Sequence, residues 1–165
     1  MDRNQIASLI VQKIEPQKEA LAREFSTPGQ IRSFVVDDLL DGKIARQIYE
    51  AFPKKEGMIL RNTIRERKYV TSQMNQYHPL LEEAVYAFQD QRLVGLLGEI
   101  TGIKDLYPDD HLYAGGISLM SKGCFLNPHI DNSHDYEGEK YRVLNLLYYV
   151  TPDWKEENGG NLEFW

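Results

Sequence analysis

The order in which helical and extended patterns follow one another constrains this chain more than any other feature. Up to Lys104 most of the chain carries apolar residues at helical spacing; beyond it, β-rich segments alternate with Gly-, Pro- and Asp-rich turns. A βαβ repeat would interleave the two patterns. Helices first and strands later argue instead for an α+β fold, or an all-β core carrying a helical layer.

Within the first part, residues 5–25 read as a helix with Ile6, Leu9, Ile10 and Ile14 recurring at helical spacing. Pro16 has no N–H to donate and should break or kink that helix into two. Thr27-Pro28-Gly29 reads as a turn, and Ser33 to Val36 (SFVV) as a strand. Asp41 can cap a helix reaching Phe52, with Ile44, Ile48 and Phe52 on one face. The basic stretch 61–68 reads as a solvated strand or loop rather than a binding patch. Pro79 suits the first turn of a helix ending at Phe88, and a further helix should reach Ile100. The β-rich segments are residues 112–120, 141–150 and 161–165, the last following a Gly159-Gly160 turn. Residues 1–30 are thus expected to form an N-terminal helical segment, and 31–165 the body of the domain.

A chain of 165 residues with 42% hydrophobic and 27% charged residues can bury one core. Its net charge of −6 disfavours non-specific binding to nucleic acid. A single cysteine, Cys124, leaves no internal disulfide and fits a reducing compartment. No apolar run is long enough to span a bilayer, and no basic, apolar leader opens the chain. The expectation is a cytoplasmic domain with neither nucleic-acid nor membrane partner.

Chemistry concentrates in Asn127-Pro128-His129-Ile130-Asp131. On an extended chain, residues two apart share a face, so an imidazole and a carboxylate would point the same way. That supplies two donors of a 2-His-1-carboxylate metal site. The competing reading is a surface turn in which Asp131 and Asn132 bond to the local backbone. In the next segment, Leu147 and Tyr149 share a face that would either line a pocket beside the metal or pack as ordinary core.

From residue 112 onward the ordered run "NPHIDN", "RVLNLLYYVTPDW" and "ENGGNLEFW" resembles the Fe(II)/2-oxoglutarate dioxygenases, in particular their prolyl-hydroxylase-like branch. The upstream "IRSFVVDDLLDGKIARQIYEAF" is similar to the strand-then-helix approach common in that branch. The resemblance implies a double-stranded β-helix (jelly-roll) core behind an N-terminal helical layer, incomplete within these residues. It implies Fe(II) and 2-oxoglutarate as cofactors, dioxygen as co-reactant, and a small-molecule or peptidyl substrate. By the same resemblance His129 and Asp131 are metal ligands. Tyr149 bonds the distal carboxylate of 2-oxoglutarate, and Leu147 contacts its carbon chain. A tyrosine often found upstream of the first ligand is replaced here by Leu119, which leaves Tyr113, of the same parity, as a candidate.

The family's third ligand histidine and the basic residue after it have no counterpart in the chain. His134 has the wrong parity, and His78 and His111 fall in the helical layer and a loop. The chain stops at Trp165 inside a predicted strand, so these residues are expected to belong to a longer polypeptide and to be inactive by themselves. The implied activity is hydroxylation of a small metabolite, a sugar-linked intermediate or a peptidyl residue. Its alternative is a non-catalytic β-helix binding module. A cupin-like metalloenzyme fits less well, because the chain has no His-x-His.

Overall fold

The computed structural model describes residues 1–113 and 115–164; Ala114 and Trp165, each within a predicted strand, lie outside the described residues. Helix α1 spans Arg3–Ile14 and starts at a reciprocal cap. Asp2 Oδ1 accepts from the Gln5 amide at 2.9 Å, and Gln5 Oε1 accepts from the Asp2 amide at 3.0 Å. Pro16 sits in a single 3₁₀ turn, Glu15–Gln17, after which α2 continues over Lys18–Phe25. The expected interruption at Pro16 is therefore present, as a tightened turn between two helices.

Helix α3 (Gly42–Glu50) is capped by the Asp41 carboxylate, which accepts from the Lys43 amide at 2.8 Å. Helix α4 (Pro79–Ala87) begins with the proline at its first turn, and α5 (Gln91–Thr101) ends on Gly102 with φ +70°. A left-handed terminal residue suits glycine because it lacks a Cβ. The inner faces of α1, α4 and α5 meet in one core whose most enclosed side chains are Ile6, Ile10, Leu81, Leu93 and Leu112. Arg92 ties the layer at its rim, reaching Asn4 Oδ1 at 2.8 Å, Ser8 Oγ at 3.0 Å and Asp90 Oδ2 at 2.8 Å.

The sheet is antiparallel. Strand β1 (Ile59–Asn62) pairs with β2 (Glu66–Thr71), so the basic stretch forms a hairpin, as expected of a solvated strand or loop. On its other edge β2 holds two short strands end to end: β3 (Ile117–Leu119) along Tyr69–Thr71, and β4 (Phe125–Leu126) along Glu66–Arg67. Gly116 lies where β3 comes closest to β2. Its φ is +105°, and a Cβ there would collide with the Thr71 carbonyl oxygen. Any other residue would be strained twice over.

The remaining predicted strands are not built as strands. Residues 33–36 run irregularly, with Phe34 set edge-on against Phe25 at 6.2 Å between ring centroids. The predicted 112–120 strand shrinks to Ile117–Leu119, since Leu112 (φ +50°) and Gly116 both turn the chain. In 141–150 only Tyr141 pairs, through a bridge to His134, and 161–164 pair with nothing among the described residues. An extended segment becomes a strand only where a neighbour takes its backbone hydrogen bonds. The observed architecture is a helical layer with an antiparallel sheet, an α+β arrangement. The closed jelly roll is not formed within the described residues.

Segment 141–150 nonetheless has two distinct sides. Tyr148 and Val150 pack against the helical core, and Tyr148 lies 5.4 Å from the Phe88 ring. Burial pushes the Tyr148 phenol above its ordinary pKa. Leu147 and Tyr149 share the opposite side and are exposed. Among the described residues no helix is long and apolar enough to cross a membrane.

Candidate metal centre

Strand β4 ends at Leu126, so His129 and Asp131 stand on the loop beyond it rather than on a strand. They converge all the same. His129 Nε2 is 3.2 Å from Asp131 Oδ1. Strand alternation therefore does not explain the pairing; local hydrogen bonds do.

Behind the imidazole, Nδ1 lies 2.8 Å from the carbonyl oxygen of Asn127. A carbonyl only accepts, so the proton of that bond sits on Nδ1. Nε2 is left facing a carboxylate oxygen, and the contact is favourable only with a proton or a metal cation on Nε2. Behind the carboxylate, Oδ2 accepts from Asn145 Nδ2 at 3.2 Å and lies 3.4 Å from Arg142 Nη2. Arg142 Nη2 also donates to Asn145 Oδ1 at 3.0 Å, which closes a triangle around Oδ2 and leaves Oδ1 turned to the imidazole.

The intervening loop brings these partners together. Asp135 accepts from the Glu139 and Lys140 amides at 2.9 and 3.2 Å, and this holds its carboxyl below the ordinary aspartate pKa, the Lys140 amide contributing most. The loop folds back so that the Arg142 amide donates to the Ser133 carbonyl at 2.9 Å. Arg142 and Asn145 then come alongside Asp131.

The donor set suits a divalent transition metal. A neutral imidazole nitrogen and a carboxylate oxygen are borderline and hard donors of the kind Fe(II) takes. Metal–donor lengths of about 2.1 Å at right angles would separate two such atoms by about 3.0 Å, and the observed separation is 3.2 Å. Each candidate ligand has a partner on its far atom, the usual way a metal site fixes ring and carboxylate orientation. Among the described residues, no group of three or more His, Cys, Asp and Glu comes together in a metal-binding arrangement. His134 bonds Ser133 Oγ at 2.8 Å and stacks on Tyr141, while His78 caps α4 through the Leu80 amide.

The other expected site residues sit apart from this pair in contact terms. Tyr149 and Leu147 are 65% and 50% exposed on the open side of 141–150, the side of odd-numbered residues that also carries Asn145. Tyr113 packs edge-on against Tyr136, 5.7 Å between centroids, and lines a cleft with Ile59, Arg61, Val70 and Thr71. Sequence reasoning missed Asn127, Arg142 and Asn145. Asn127 shares the parity of both ligands and could have been noticed; the role of Arg142 and Asn145 depends on how the 132–141 loop returns, which no local pattern states.

No curated protein matches the chain, and no solved structure does. A family match exists over the segment that contains His129, Asp131 and their outer partners. Residues 115–165 are similar to the 2OG-Fe(II) oxygenase superfamily, a family that uses Fe(II) and 2-oxoglutarate, and the match supports an enzyme of dioxygenase type.

Proposed function

We propose that this chain carries ligands of an Fe(II)- and 2-oxoglutarate-dependent oxygenase of the prolyl-hydroxylase-like branch, acting on a small metabolite, a sugar-linked intermediate or a peptidyl residue. One observation carries the reading: His129 Nε2 and Asp131 Oδ1 converge at 3.2 Å while their far atoms are held by separate partners. When bound, Fe(II) and 2-oxoglutarate supply oxidative decarboxylation to succinate and carbon dioxide, coupled to hydroxylation by dioxygen.

The chain's own residues do the rest. His129 and Asp131 would hold the metal. Arg142 and Asn145 orient Asp131, since both donate toward Oδ2. Tyr149 would donate its phenol proton to the distal carboxylate of 2-oxoglutarate, with Leu147 against the carbon chain. Tyr113 is the further cosubstrate candidate, beside a cleft lined from β1 and β2. The domain body at 31–165 would be the N-terminal portion of an oxygenase domain, with 1–30 packed on it as helical support.

The test is succinate formation from 2-oxoglutarate by the intact protein supplied with Fe(II) and dioxygen. Asp131→Ala should abolish it, and so should Asp131→Glu, because one extra methylene moves the donor oxygen by about a bond length. Wild-type turnover in either variant refutes the assignment.

A further inference from the structure

The tip of the β1–β2 hairpin has no part in the reading above, yet it is bonded to the candidate centre through one residue. The Asn127 amide N–H donates to the Arg65 carbonyl at 2.9 Å, extending the β2–β4 ladder by one rung. The Asn127 side-chain Nδ2 donates to the Ile64 carbonyl, also at 2.9 Å, across 63 positions of sequence. Asn127's own carbonyl accepts from His129 Nδ1 at 2.8 Å. Pro128 follows directly, and its ring restricts the preceding residue to extended backbone angles. The direction of the Asn127 carbonyl is thus constrained from three sides.

The hairpin tip is itself well held. Thr63 Oγ1 accepts from the Arg65 and Glu66 amides at 3.1 and 3.2 Å, and the Thr63 amide donates to the Glu66 carbonyl at 2.8 Å. An anchor of this kind can fix a carbonyl some residues away only if every link is short, and each link here is a hydrogen bond of at most 3.2 Å.

We propose that Asn127 is the positioning residue of the His129 imidazole and that the β1–β2 hairpin tip is its anchor. The hairpin then sets which ring nitrogen keeps its proton and which faces Asp131. The consequence for metal affinity rests on the function proposed above; the hydrogen bond to Nδ1 does not. Asn127 touches neither metal nor substrate, so its effect passes entirely through His129.

The test uses the full chain with ¹⁵N-labelled histidine and reads the protons on the two His129 ring nitrogens. The wild type should show a slowly exchanging Nδ1–H signal for His129, protected by the Asn127 carbonyl. In Asn127→Leu and Asn127→Asp, which keep the side chain's size and remove its donor, that signal should be lost to water exchange while the Nε2–H beside Asp131 persists. A purely structural role for Asn127 would remove both signals or neither, and either result overturns the proposal. Absence of a protected Nδ1–H in the wild type overturns it without recourse to any variant. Mn(II) broadening of the His129 ring signals gives the second readout: each variant should need about 10- to 100-fold more Mn(II) than wild type. No broadening in the wild type at any concentration would count against the metal reading, whereas equal broadening in wild type and variants would count against positioning by Asn127.

Discussion

Replacing Lys68 by methionine should destabilise the protein more than replacing Glu66, its partner, by leucine. Glu66 is 5% exposed and pairs with Leu126 in the β2–β4 ladder, next to the strand that leads into the candidate centre. Lys68 Nζ stands 2.9 Å from Oε2, and Arg61 Nη1 3.7 Å from Oε1. The Lys68 contact, then the charges of Lys68, Arg61 and Arg65, holds the Glu66 carboxyl below its ordinary pKa against the opposing effect of burial. Removing one member of a fully buried pair costs about 3–5 kcal/mol. Lys68→Met approaches that range, at about 2–4 kcal/mol, because the carboxylate remains buried with only the longer Arg61 contact. Glu66→Leu should cost about 1–2 kcal/mol, since the lysine and arginine left behind can extend into water. The double variant should recover most of the Lys68→Met loss. The sign with pH follows from the depressed folded-state pKa: the contribution is present above the unfolded glutamate value near ~4.3 and is lost as pH falls through the lower folded value. Urea denaturation of the four proteins at neutral pH and at successively lower pH measures all of this. Equal costs for the two single variants, or strict additivity in the double, would refute the reasoning.

Other perturbations have equally definite outcomes. Gly116→Ala, which forces a Cβ against the Thr71 carbonyl at a φ of +105°, should cost more than about 2 kcal/mol in chemical denaturation; a change within ~0.5 kcal/mol would contradict the β2–β3 geometry. Tyr149→Phe should raise the 2-oxoglutarate KM several-fold and leave Mn(II) affinity unchanged, since one hydrogen bond to a charged group contributes about 1.5–3 kcal/mol before solvent screening; unchanged cosubstrate kinetics would make Tyr149 an ordinary surface tyrosine. Asn145→Leu should weaken Mn(II) binding about tenfold by freeing Asp131 Oδ2, and an unaltered titration would remove Asn145 from the centre.

The helices were legible in the sequence because their signals are local. Asp41 and Pro79 mark starts that need only the next few residues, and Pro16 acts on the turn it occupies. Even so, Leu9, at helical spacing with Ile6, is exposed, while Ala7 is fully buried, on a helix that packs against both α4 and α5. The strands were less legible. Alternation in 141–150 tells which residues share a side, and Tyr148 and Val150 do pack inward, but it does not name a pairing partner. The convergence of His129 with Asp131 was anticipated from strand alternation and instead arises on a loop held by Asn127, Arg142 and Asn145. Those contacts join positions whose proximity depends on the fold, so no spacing rule could reveal them.

The central claim is that one metal ion binds His129 and Asp131 together. Pulsed EPR of Mn(II) added to the full chain tests it directly, because a ligating imidazole nitrogen leaves a characteristic coupling on the manganese signal. The wild type should show that coupling, His129→Ala should lose it, and Asp131→Ala should lose bound Mn(II) under the same conditions. Manganese bound without nitrogen coupling in the wild type, or coupling that survives in His129→Ala, would contradict the account.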